Sequence, residues 1–313
     1  MPRTKLILDC DTGTDDAVAI MLACLHPRLE LVACTVVTGN GPVAYSADNT
    51  LRVLSHIGRS DIPVYIGADE PLVPRTRDTS RALALHGLTL PLPPVEHSVQ
   101  AMRAAEFLVE QFAQGGDVPT LVATAPLTNI ALAMALDPLF PTRVQRLVIM
   151  GGGHAISNIT ASAEFNFWMD PHAAATVMAA GFSDVTLVTL DATHTALITY
   201  ADCDRLRAAG TPAALAAEQL MRQRIDAHEA NDKMPVPGSA PVHDALCIGS
   251  LIDPQVITTQ RVHVGVETAG PLTLGRSVMD LRPSADQAPN CTVAFAADRR
   301  KFVELLVVTL SQR

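Results

Sequence analysis

The chain has 313 residues, 48% of them hydrophobic and 18% charged, with a formal net charge of -9. That length and apolar content bury a large core without disulfides, which excludes a mainly disordered state. The acidic balance argues against nucleic-acid binding, because a surface that neutralises phosphates collects Lys and Arg on one face.

At the start, Met1-Pro2-Arg3-Thr4-Lys5 is followed by only Leu6-Ile7-Leu8 before Asp9, too short for the apolar region of a signal peptide. Strands are predicted at residues 5–8, 31–37, 64–66, 120–123, 146–150 and 185–190. Helices are predicted between them at 15–26, 43–57, 99–114, 127–136 and 171–180. This alternation predicts an α/β fold: a single open, doubly wound, mainly parallel sheet (Rossmann-like) flanked by helices. After Asp191 the pattern turns helical, near 201–209, 212–229 and 244–252. Two β-like runs, 260–268 and 272–280, flank Gly270-Pro271 and read as a β-hairpin. A strand at 292–295 and a helix from Asp298 close the C-terminal part.

The Pro/Gly-rich piece 234–241 is too short for a linker, so one domain over 1–313 is expected. No apolar stretch approaches the roughly 20 residues that span a bilayer, and no membrane association is expected. Cys10, Cys24, Cys34, Cys203, Cys247 and Cys291 are scattered without a C-x-x-C pair. They read as small buried hydrophobes suited to a reducing, cytoplasmic setting.

The strongest feature is Leu6-Ile7-Leu8-Asp9-Cys10-Asp11-Thr12-Gly13-Thr14-Asp15-Asp16-Ala17, an apolar strand that runs into four carboxylates and then an apolar helix. Two negative charges about 4 Å apart repel by roughly 4 kcal/mol at an effective dielectric near 20. Such a cluster protonates, spreads apart or holds a cation. Gly13 permits a sharp turn, and the helix start near Asp15 favours carboxylates. Oxygen-only ligation favours a hard cation, calcium or magnesium, over zinc. The bland alternative is a helix cap decorated with acids.

In open parallel sheets the ligand crevice lies beyond the carboxyl ends of the strands. Polar residues recur there: Thr38-Gly39-Asn40, Thr124-Ala125-Pro126-Leu127-Thr128-Asn129, and Met150-Gly151-Gly152-Gly153-His154. Ala163-Glu164-Phe165-Asn166 puts an acid and an amide on one side if that segment is extended. Singly, Asn40 also reads as a turn residue, and Thr128 and Asn129 as a helix start. In Pro241-Val242-His243-Asp244, Asp244 reads as an N-cap or as a further oxygen ligand, and His243 as a structural or a functional imidazole. The glycines at 151–153 lack a G-x-G-x-x-G or GK[ST] pattern, and no G-x-S-x-G elbow is present. Hydrolysis by an activated water fits the acid cluster better than a covalent enzyme intermediate.

These residues resemble the calcium-dependent nucleoside hydrolases of the inosine-uridine preferring group. The likeness runs through Asp9-x-Asp11-x-Gly13-x-Asp15-Asp16-Ala17, Thr38-Gly39-Asn40, Thr124 to Asn129, Met150-Gly151-Gly152, Glu164-Phe165-Asn166, Asp170-Pro171 and His243-Asp244. The resemblance implies hydrolysis of the N-glycosidic bond of ribonucleosides to base and ribose, through an oxocarbenium-like transition state. It implies Ca2+ held by Asp11, Asp16, Asp244 and the backbone carbonyl of Thr124, with Asp11 also the general base for the water on the metal. It assigns Asp15, Asn40 and Asn166 to the ribose diol, Asn158 and Glu164 to the 5′-hydroxyl, and Met150 to the sugar pocket, with Asp9 supporting the loop. His243 matches a residue proposed to protonate a departing purine.

Two departures stand out. The family's Asp-Pro-Gly turn is Asp11-Thr12-Gly13 here, and its His-Gly segment is shortened at His86-Gly87-Leu88, near the base pocket that His86 would line. The purine-specific branch stacks its base between tryptophans, and Trp168 is the only Trp in this chain, which disfavours purine-only specificity. The resemblance also implies a homo-oligomer, a dimer or tetramer. Two rival classes are a non-catalytic nucleoside or ribose binder on the same scaffold, and a phosphatase of the haloacid-dehalogenase type. The latter needs a lysine at a strand end, and Lys5, Lys233 and Lys301 do not supply one.

Overall fold

The protein is described from a computed structural model that covers residues 3–75, 79–80, 87–96 and 98–312. Strand β1 (Thr4–Cys10) alternates its side chains: Leu6, Leu8 and Cys10 enter one half of the core and Ile7 the other. It feeds α1 (Thr14–Leu25), whose positions from Thr14 to Ala23 are all buried. A helix buried all round needs its acids at one end, and Asp15 and Asp16 occupy the first turn, where the backbone N–H groups are unpaired.

The chain continues through β2 (Leu29–Val36), α2 (Val43–His56), β3 (Val64–Ile66), α3 (Ala104–Ala113), β4 (Thr120–Ala123), α4 (Thr128–Leu136), α5 (Phe140–Arg143) and β5 (Leu147–Met150). Then come α6 (Phe165–Met169), α7 (Pro171–Met178), β6 (Val185–Val188), α8 (Leu190–Thr193), β7 (Ile198–Thr199), α9 (Tyr200–Ala209), α10 (Pro212–Asn231) and β8 (Ser239–Ala240). Last are α11 (His243–Ile252), β9 (Ile257–Val266), β10 (Ser277–Asp280), β11 (Cys291–Ala297) and α12 (Arg299–Leu310).

The main sheet is nine-stranded in the order β10-β9-β11-β6-β5-β4-β1-β2-β3. Its strands are parallel except β9, which runs against β11, and β10, which runs against β9. Chain order reverses between β1 and β4, and such a reversal opens a crevice at the carboxyl ends of the strands. Two apolar clusters cover the two faces of the sheet. Helix α11 is buried at every position, so the segment that carries His243 and Asp244 is anchored in the core. All six cysteines are free, and no helix among the described residues is long and apolar enough to cross a membrane.

The predicted α/β architecture is therefore present, with four local corrections. The helix expected from 99 begins at Ala104, because Gln100 bridges to Tyr65 and stays extended. The second hairpin arm starts at Ser277 rather than at 272, since Gly275, with φ of 80°, turns the chain and donates to Glu267 O at 2.8 Å. Strand β6 stops at Val188 because Leu190 already opens α8. Residues 163–166 are not an extended run: Glu164 caps α6 by accepting the Asn166 and Phe167 N–H groups.

Candidate active site

A pocket opens at the crevice between the halves of the sheet. Asp11 lies just beyond β1, Asn40 beyond β2, Thr124 beyond β4 and Met150 at the end of β5, and all four line it. Asp15 enters from the first turn of α1, and His243 and Asp244 from the first turn of α11. Asn158, Glu164 and Asn166 close the side after β5. The N-cap of α11 is Val242, so Asp244 does not serve as a cap.

Hydrogen bonds fix these groups. Asp11 Oδ2 accepts Asn40 N–H at 2.6 Å, and a Cβ on Gly39 would sit 1.9 Å from the same oxygen. Asp16 accepts Gly13 N–H at 3.0 Å on one oxygen and the Thr124 hydroxyl at 2.9 Å on the other. Asn166 Nδ2 donates to Thr124 O at 3.0 Å and to Met150 O at 3.3 Å, tying together the ends of β4 and β5. Glu164 takes the N–H groups of Gly152, Asn166 and Phe167, and Asn158 Oδ1 takes Phe165 N–H at 2.9 Å. Asp9 stands one layer below: its Oδ1 accepts from Thr35 at 2.6 Å and Asn129 at 2.7 Å, while its buried Oδ2 has no hydrogen-bond partner. His243 Nδ1 lies 2.7 Å from Thr193 Oγ1.

The electrostatics are unbalanced. Asp11, Asp15, Asp16 and Asp244 are each at most 4% exposed, and one oxygen each of Asp15, Asp16 and Asp244 falls within 4.8 Å of the others. Burial pushes the Asp16 carboxyl up to about 7, with the charge of Asp15 adding to it. Burial likewise lifts Asp11, helped by Asp16, and Asp244, helped by Asp15, well above the usual carboxylate range. The imidazole of His243 is held well below its ordinary value by burial and then by Arg224. Arg224 is the one Lys or Arg among the described residues lining the pocket. Buried acids in this excess, with carboxylate, amide and carbonyl oxygens converging, are a donor set that fits a hard divalent cation.

Of the residues singled out in the sequence, Asp11, Asp15, Asn40, Thr124, Met150, Asn158, Glu164, Asn166, His243 and Asp244 line this one pocket. Asp16 stands directly behind them, in contact with Thr124. The tightest acid trio contains Asp15, a residue assigned to the sugar, rather than Asp11. His86 lies outside the described residues. Trp168 does not line the pocket; its ring lies under the guanidinium of Arg75 at 4.4 Å.

Sequence reasoning passed over Ile159, Phe165, His194, Arg224, His228 and Asp232, which also line the pocket. A signal for part of this set exists. The buried stripe of α10 runs Ala217, Leu220, Met221, Arg224, Ile225, His228, so two polar residues occupy positions that the helical period gives to the core.

Comparisons with known proteins identify the family. The family model described as inosine-uridine preferring nucleoside hydrolase matches residues 6–304. The chain is 39% identical over 310 residues to the pyrimidine-specific ribonucleoside hydrolase RihA of Shewanella sp. (strain ANA-3), covering 98% of this chain and 96% of that protein. It is 40% identical over 311 residues to the protein of the same description from Enterobacter sp. (strain 638), covering 98% and 97%. Among solved structures, the purine-preferring ribonucleoside hydrolase from Gardnerella vaginalis superposes with a TM-score of 0.90 at 28% identity, covering 98% of each chain. These matches leave neither the phosphatase nor the simple binder standing. The chain belongs to the inosine-uridine preferring nucleoside hydrolases, as an N-glycosyl hydrolase that splits ribonucleosides into free base and ribose.

Proposed function

We propose that the enzyme prefers pyrimidine ribonucleosides and works with calcium, seated by Asp11, Asp16, Asp244 and the carbonyl of Thr124. The observation that carries this reading is the approach of Asp16 and Asp244, from opposite ends of the sequence, to within 4.8 Å at the floor of a pocket ringed by amides. When bound, the ion fixes the sugar diol and acidifies the attacking water. With Asp11 Oδ2 held by Asn40 N–H, its other oxygen is the one that takes the proton of that water. Asp15, Asn40 and Asn166 receive the ribose diol, Asn158 and Glu164 the 5′-hydroxyl, and Met150 packs against the sugar. Breaking the C–N bond builds positive charge on the ribose, and the carboxylates facing it favour that state over the neutral ground state.

Pyrimidine preference is supported by the names of the relatives at 39% and 40% identity and by a pocket without a Trp among its described lining residues. His243 sits at the base end as a neutral imidazole. The Thr193 hydroxyl, 2.7 Å from Nδ1, fixes the ring, and His243 remains the residue that we propose assists departure of the base. We further propose one domain over 1–313, a homo-oligomer, and a cytoplasmic setting that suits the free cysteines.

The test is incubation with uridine, cytidine and inosine, in calcium and then in chelator, with chromatography of the products. Uracil and cytosine should appear faster than hypoxanthine, and chelator should stop all three. Absence of free base from every nucleoside would overturn the assignment.

A further inference from the structure

Arg224 is 2% exposed, and a guanidinium is kept out of water only where its N–H groups are matched. Its three arms meet three parts of the site. Nε donates to Pro241 O at 2.5 Å, on the segment that leads into His243 and Asp244; Nη1 donates to Thr14 Oγ1 at 3.2 Å; and Nη2 pairs with Asp15 Oδ2 at 3.1 Å. One planar group thus spans the start of α1 and the approach to α11, the two elements that bring the acids together. It also distinguishes neighbours that are alike in charge. Asp16 is held by a backbone N–H and a hydroxyl, both neutral donors, whereas Asp15 is held by a full cation.

We propose that Arg224 is a positioning residue that partitions the acid cluster, withholding Asp15 from the cation and keeping it turned to the sugar hydroxyls. The proposal rests on the reading of the pocket as a cation and ribose site. A carboxylate paired with a guanidinium is a poor ligand for a divalent cation, because the two positive groups repel at close range. The same carboxylate remains an acceptor for hydroxyl donors. A lysine would supply the charge without the planar fork that reaches Pro241, Thr14 and Asp15 together. Arg224 therefore acts through Asp15, and its removal sets that acid free to join Asp16 and Asp244 around the ion.

The experiment compares wild type, Arg224→Met, Arg224→Lys, Asp15→Asn and the double variant Asp15→Asn/Arg224→Met. Metal-stripped protein is titrated with calcium alone by calorimetry, and steady-state kinetics are run on uridine. Arg224→Met should bind calcium at least as tightly as wild type while KM rises about tenfold or more and kcat falls less. Arg224→Lys should fall between the two, and the double variant should have a KM no worse than Asp15→Asn alone. Calcium binding weakened in step with the rise in KM, an unchanged KM, or additive effects in the double variant would each overturn the proposal. If Arg224→Met fails to fold, the Lys variant decides: a raised KM with calcium affinity kept supports the proposal, and an unchanged KM sinks it. If the wild type releases no base from uridine, the functional reading fails separately, and the calcium titrations alone judge whether Arg224 restrains Asp15.

Discussion

Asp11 shows how little room the chemistry leaves at the level of a single side chain. Its carboxylate is gripped by Asn40 N–H, and Gly39 passes so close that no Cβ fits. Asp11→Asn keeps the shape and removes the proposed base, so kcat on uridine should fall by about 10² to 10⁴ with KM little changed. Gly39→Ala displaces the same carboxylate by steric contact; a loss of about 100-fold in kcat is expected, together with a fall of some degrees in melting temperature as the buried bond to Asn40 is broken. Wild-type kcat in either variant would remove Asp11 from the base role. Glu164 yields a prediction in pH. Burial raises its carboxyl from 4.5 to about 7, so between those values the folded chain holds a proton that the unfolded chain has released. The stability this group contributes is full below the unfolded value and is lost as pH rises through the folded one. In chelator, Glu164→Gln should therefore gain on wild type in thermal melts between about pH 5 and about pH 8, and a difference that does not vary with pH would contradict this.

Elements differ in how clearly their residues announced them. The run from Leu6 to Ala17 was legible as strand, turn and helix because apolar spacing and charge agree there. The cap that Glu164 forms was not legible because helix α6 has only five residues, too few to show a period, and a cap is visible only once the helix is known. Arg224 and His228 were missed for a different reason: a long helix permits a few polar residues on its inner face, and the partner of Arg224 on Pro241 is set by tertiary packing. Helix α4 contributes a further, testable support. Its Asn129 is fully buried and donates to Asp9 Oδ1 at 2.7 Å and Val36 O at 3.2 Å, while its Oδ1 accepts Ala68 N–H at 2.9 Å. Asn129→Ala strands these groups and should destabilise the protein by about 3 kcal/mol, read by urea unfolding. A loss under about 0.5 kcal/mol would mean that water replaces the amide.

Across the whole molecule the sheet order matters most, because the reversal between β1 and β4 gathers strand ends whose residues are far apart in sequence. The α/β alternation predicted such a crevice, yet only the register and the burial of α11 bring Asp244 beside Asp16. Mutual repulsion among these acids is relieved by a bound cation, so calcium at about 100 times its Kd should stabilise the fold by about 2.7 kcal/mol. Differential scanning calorimetry with chelator and then with excess calcium should show a rise of several degrees; no shift would argue against a cation in the acid cluster. The distance along the chain between Asp16 and Asp244 has a consequence for biosynthesis. More than two thirds of the polypeptide must leave the ribosome before Asp244 arrives, so on the proposed reading a nascent or truncated chain that ends short of α11 lacks part of the acid cluster and should release no base.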